Sequence, residues 1–413
     1  MAPSRRSNKK TTRYVGDDEG EKDTKRRRTD DAPIKQEDSQ DPTPEPVVSV
    51  SATGSVNAVA VTPSSNSSAN NNNSNNNELP STTFELAEVL CNIVSDRYSR
   101  DEKLCTLERL HKWAQTEDGE FLKLFHACSG VLSVLNFIKK TMNNGNCVGQ
   151  VRMDCIEKAA QIIIHSTYSG TNKVNKKIAT KIVTSLMECD GINTLINASE
   201  EYNGGEDVPQ LKALRFTWGA LNNITSKMDA MKDAINKYQA IALFDTGIDI
   251  ISQLKSIDGG VASGTLGSVF GTLYNVVFCN YVTKKYLQDK DILSKYLEVF
   301  KKDDGTWTCR SEIVMAGAIT FINCCRSKKL LDKSSDYEII LPLLVIGLKK
   351  YPTNDEIRRR SFYLIGSACS TVNDRKIIET SGVMEALVAL LVSDAINEAV
   401  RDKVRALIRK IIA

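Results

Sequence analysis

The sequence predicts an all-α fold, and three observations carry that expectation. Apolar residues recur at helical spacing through most of the chain after Thr82, as in Leu86, Val89, Leu90 and Ile93. Hydrophobic residues make up 41% of the composition, enough for a packed core, whereas aromatics are only 6% and strand-type alternation is hard to find. The third observation is a recurring unit. Its fullest copy, NDEIRRRSFYLIGSACSTVNDRKIIETSGVMEALVALL, runs from Asn354 to Leu391, and more worn copies precede it.

Taken in order, residues 1–81 form a region apart. Up to Pro46 it is a charged mixture with hardly any large apolar residue, and it then turns into Ser, Asn, Ala and Val, ending in the Asn run at 69–77. Such a composition buries too little surface to offset a chain entropy of about 1–2 kcal/mol per residue, so a disordered tail with an Asn-rich linker is expected. Lys25, Arg26, Arg27 and Arg28, preceded by Arg5, Arg6, Lys9 and Lys10, make a compact basic cluster. It resembles a nuclear localisation signal, which implies a nuclear import receptor as a partner and a nuclear protein that shuttles with the cytoplasm. Ile34-Lys35-Gln36-Glu37 resembles a SUMO-acceptor site, with Lys35 as the acceptor.

Residues 82–413 read as helices throughout. Thr82 or Thr83 followed by Glu85 gives a start signal for a first helix, and Glu102 to Ala114 and Gly119 to Ala127 come next. A junction then recurs at Gly130, Gly191 and Gly247, more weakly at Asp291 and Asp336, and again at Gly382, each time ahead of an apolar run. Glycine at such a point is expected to carry a left-handed turn between helices. Between junctions lie long helices over Gln150 to Thr167, Pro209 to Lys227, Ala262 to Cys279, Cys309 to Arg326, Glu356 to Ser370 and Asn397 to Ile412. The glycine-rich stretch from Gly259 to Ser268 lacks the Lys of a phosphate loop and follows no strand, so it is assigned to a turn.

The last three junction intervals fall within the roughly 40 to 47 residues of armadillo and HEAT units, and the first two exceed it. With its short middle helix and its Ser-Gly junction, the unit resembles an armadillo repeat. That resemblance implies an armadillo-like right-handed superhelical solenoid of about six repeats, whose long third helices line a concave groove for a peptide or protein partner. The family's groove pattern pairs a Trp with an Asn one turn later, and Arg215-Phe216-Thr217-Trp218-Gly219-Ala220-Leu221-Asn222-Asn223 matches it best. Trp218 would supply an apolar shelf, while Asn222 and Asn223 would bond an extended backbone. Tyr274 and Asn275, Phe321, and Tyr363 with Ser367 take the corresponding places further on.

Other function classes find less support. The 54 basic and 51 acidic residues nearly balance, which argues against a chain built for nucleic acid. The apolar run from Ile339 to Leu348 is about half a membrane span, so no membrane partner is expected, and residues 1–30 have no apolar signal core, which points to an intracellular protein. Cys324 and Cys325 are adjacent and point about 100° apart on a helix, so no metal and no cofactor are expected. His111, His126 and His165 fall in helical apolar patterns and suggest structural roles, leaving no catalytic residue and no enzyme. The expected function is a non-enzymatic protein–protein interaction scaffold. The alternatives that the resemblance raises are an importin-alpha-like transport adaptor, whose repeated Trp and Asn ladder this chain lacks, and an armadillo-type Hsp70 nucleotide-exchange factor.

Overall fold

The computed structural model describes residues 79–116, 118–144, 149–168, 173–202, 204, 207–227, 237–331, 334–371 and 375–413. Among them the regular structure is helical, with one isolated antiparallel bridge between Lys301 and Trp307. In chain order the helices are α1 (Thr83–Val94), α2 (Arg100–Gln115), α3 (Gly119–Ala127), α4 (Gly130–Asn143), α5 (Gln150–Thr167) and α6 (Lys173–Glu188). Then come α7 (Gly191–Ser199), α8 (Val208–Thr225), α9 (Lys237–Gln253), α10 (Gly260–Phe278), α11 (Lys284–Asp289) and α12 (Ile292–Leu297). The last are α13 (Glu312–Ser327), α14 (Ser334–Lys350), α15 (Asp355–Thr371), α16 (Arg375–Thr380), α17 (Val383–Leu391) and α18 (Glu398–Ile412).

Local chemistry sets several of these boundaries. Thr82 and Ser99 cap α1 and α2 in reciprocal boxes with Glu85 and Glu102, and Asp118 and Asn397 accept the first free amides of α3 and α18. Pro209 sits in the first turn of α8, where its missing N–H costs nothing.

Two rows of helices carry the packing. In one, α2, α5, α8, α10, α13, α15 and α18 each lie against the next. In the other, α1, α4, α7, α9, α12, α14 and α17 do the same, and pairs such as α4 with α5, α7 with α8 and α14 with α15 join the rows. One continuous core fills the space between them, with Trp113, Trp218, Tyr296, Tyr337, Phe270 and Phe321 among its largest fully buried side chains. The helix α10 is long and apolar enough to cross a membrane by length and composition, a feature the apolar-run reading missed; it packs between α8, α9 and α13.

The junctions differ from the sequence expectation in a consistent way. The left-handed residues are Ser129, Asp190, Asp291 and Gly382, with φ of 53°, 61°, 48° and 78°. Three of these positions are not glycine, and Gly130 and Gly191 stand one place later, as the first residues of α4 and α7. Those two glycines serve close approach instead. A Cβ on Gly130 would lie 2.4 Å from the Phe125 ring, and one on Gly191 would lie 2.6 Å from the Leu186 carbonyl oxygen. Gly247 and Asp336 are not junctions at all, because they lie within α9 and α14. Nor is Gly259 to Ser268 a turn. Only Gly259 has a positive φ, 117°, and Gly264 and Gly267 are interior to α10, where they make room for Arg215 of α8 and Ile313 of α13.

Candidate functional site

The face formed by α8, α10, α13 and α15 collects most of the predicted partner-binding residues, but it sorts them by burial. Trp218 and Phe321 are fully enclosed, at 0% and 1% exposure, and they leave the site. The reason is their side of the helix: both rings point between the two helix rows, Trp218 towards Gly247 of α9 and Phe321 into a stacked contact with Tyr296 and a tilted one with Phe244. A Trp and an Asn four residues apart share one face in general, yet here the ring enters the core while Asn222 lies at its margin.

The asparagines are arranged as clamps between neighbouring helices. Asn223 donates from Nδ2 to the Ile164 carbonyl (3.2 Å) and to Thr167 Oγ1 (3.4 Å) at the end of α5. Asn275 repeats this one helix further, donating to Thr225 Oγ1 (3.1 Å) and to Asn222 Oδ1 (3.3 Å) at the end of α8. Each stands four residues after a helix glycine, Gly219 and Gly271, and the geometry repeats with the sequence, but their donors are spent inside the protein. Asn222 lies flat across α10 because residue 271 is glycine; a Cβ there would come within 2.6 Å of Asn222 Oδ1.

Beyond Asn275, the surface becomes aromatic and cationic. Tyr274 stacks on Phe278 with ring centroids 5.8 Å apart, and Phe278 is 40% exposed. Lys328, just past α13, holds its ammonium 4.9 Å from the Phe278 ring centroid. From α15, Glu356, Arg360, Tyr363 and Ser367 fall at i, i+4, i+7 and i+11 and so share a face. Tyr363 is 50% exposed, and Ser367 is half-buried. Glu356 pairs with Arg359 at 3.0 Å and with Arg360.

Charge and burial tune this group. Burial pushes the Glu356 carboxyl up, but Arg360 and Arg359 outweigh it and hold the group below the ordinary carboxylate range. Burial pushes the Cys324 thiol up to about 12, against the opposing pull of Lys328 and Arg360. Burial, with the neighbouring Cys324, likewise raises Tyr274 to about 12. Both groups therefore keep their protons at neutral pH, and Cys324 is poorly suited to act as a nucleophile.

No family model matches the chain. No curated protein matches it either. Among solved structures it is similar to a protein described as engineered, at 12% identity, covering 79% of this chain and 96% of that one with a TM-score of 0.39.

Phe278, Lys328 and Glu356 were not singled out from sequence. A signal for Glu356 existed, since the i, i+4, i+7 step through Arg360 to Tyr363 is readable; from sequence, three consecutive arginines cannot share one helix face and read as a fan of mostly solvated charge. Arg358 and Arg360 are in fact buried, at 8% and 6% exposure, and only Arg359 projects into solvent. The basic cluster Lys25, Arg26, Arg27 and Arg28 and the acceptor Lys35 lie outside the described residues.

Proposed function

We propose that residues 82–413 form an armadillo-like right-handed solenoid of about six repeats, and that the protein is a non-enzymatic interaction scaffold. Its long helices present a groove in which an extended peptide or protein segment binds. The observation that supports this reading best is that Tyr274 and Phe278 of α10 and Tyr363 of α15 stand partly exposed on helices of one row, in which Asn223 and Asn275 tie α5, α8 and α10 together. Aromatic rings on rigid helices lose little entropy on binding, which suits them to anchor a partner. The basic cluster at 25–28 supports import into the nucleus through a transport receptor.

An adaptor for basic cargo fits this face less well. Lys328, Arg359 and Arg360 gather on it, and its nearby acid, Glu356, is already paired.

Affinity purification with mass spectrometry from nuclear and cytosolic fractions tests the reading, comparing the full chain with Tyr363→Ala and with Asn222→Ala. Loss of one set of nuclear partners in either variant is the expected result. Unchanged partners in both would move binding away from the groove and overturn it.

A further inference from the structure

The surface where α13 packs against α10 and α15 holds a cation without enough acceptors. Arg360 is 6% exposed, its Nε donates to Glu356, and its Nη2 is buried with no hydrogen-bond partner. A buried guanidinium N–H without an acceptor is costly, and most such groups are satisfied. Lys328, at the end of α13, holds its ammonium over the Phe278 ring of α10, and α13 packs against α15, which carries Arg360; the charges of both act on the Cys324 thiol of α13. The acids nearby are spoken for: Glu356 by Arg359 and Arg360, Asp355 by Arg358, and Glu312 by Asn354 at 2.7 Å. Helices α8 and α10 contain no acidic residue at all.

We infer that this surface is an acid-reading subsite, which takes an Asp or Glu side chain of an extended peptide partner beside Lys328 and Arg360. Tyr274, Phe278 and Tyr363 hold an apolar or aromatic neighbour of that acid. The inference rests on the groove reading above and adds the partner's chemistry to it. A peptide is favoured over nucleic acid because α10, beside these two cations, carries no basic residue, whereas a phosphate backbone is held by a stripe of them. The carboxylate meets the Lys328 ammonium in a charge-assisted hydrogen bond, the strong kind, in the field of the Arg360 guanidinium.

Phage-displayed random peptides about sixteen residues long, selected on the full chain at low salt, test this; a stretch of that length spans several helices of the row. The selected sequences are resynthesised with a fluorophore and titrated by anisotropy against wild type, Lys328→Glu and Tyr363→Ala. Peptides rich in Asp or Glu beside an aromatic or aliphatic residue are expected. Their affinity should fall about tenfold or more in Lys328→Glu and weaken as salt rises, with the melting temperature unchanged. Arg360→Met serves as a second variant, read only if its melting curve shows it folded. Peptides weakened by Tyr363→Ala but indifferent to Lys328→Glu would overturn the acid subsite and leave the groove standing. Peptides indifferent to both, or no enriched sequence, would overturn the groove reading with it.

Discussion

Tyr363 and Trp218 are both aromatic residues of the long-helix row, and their surroundings set opposite outcomes for the same substitution. Trp218 is fully enclosed, so Trp218→Ala removes a large buried ring and should cost about 3–5 kcal/mol in urea denaturation. Tyr363 is half exposed, and Tyr363→Ala should stay within about 0.5 kcal/mol of wild type while weakening partner capture. Glycines part in the same way. Gly191→Ala drives a methyl group to 2.6 Å from a backbone carbonyl oxygen, which cannot swing aside as a side chain can, and should destabilise by about 1–3 kcal/mol. Gly260→Ala is the matched control. It lies at the start of α10 with nothing within 4 Å of the added carbon, and it should be neutral or stabilise by up to about 1 kcal/mol through the unfolded chain.

At the scale of elements, contacts between successive long helices carry both stability and its pH dependence. Asn223 fastens α8 to the last turn of α5, and Asn223→Ala leaves the Ile164 carbonyl without that donor; a loss of about 1–2 kcal/mol is expected, with faster amide exchange at the end of α5. One contact earlier, His111 of α2 and His165 of α5 face each other with ring centroids 5.4 Å apart. Burial first, then Lys158 and His165, lowers His111 to about 4, and burial lowers His165. A histidine depressed in the folded state is neutral there while the unfolded chain takes up a proton, so its contribution is whole above the unfolded value near 6.5 and is lost as pH falls towards about 4. His111→Asn should flatten the fall in stability between those limits by an amount of order 1 kcal/mol, after allowance for its partial exposure. Helices were the legible part of the sequence: α3 and α5 begin and end where periodicity places them. Junction glycines were less legible, because a left-handed residue can be Ser129 or Asp190 and the glycine beside it can serve close packing instead. The site was least legible. Periodicity says which residues share a helix face, but whether that face enters the core or borders solvent depends on the neighbouring helix, and so Trp218 and Asn222 parted company.

For the whole molecule, the decisive fact is that each long helix packs chiefly on the helix before and after it in the row. An interior member such as α10 has α8 on one side and α13 on the other, and its side chains are largely enclosed. The last member, α18, has α15 and α17 but no successor among the described residues, and only Val404 and Leu407 of its side chains are buried. In such an array stability is approximately a sum of local terms and neighbour contacts, so opening should begin at an end and spread inward rather than occur everywhere at once. Hydrogen exchange followed by mass spectrometry should therefore find a gradient, with α18 amides exchanging about a hundredfold faster than those of α10, a difference of near 3 kcal/mol in opening free energy. Ending the chain after Leu391 should shift fast exchange to α15 and α17, which lose the neighbour that packs on them and lies against Gly366, while α8 and α10 keep their protection. Equal protection from α1 to α18, lost together in one step, would instead require long-range coupling that nearest-neighbour packing does not supply.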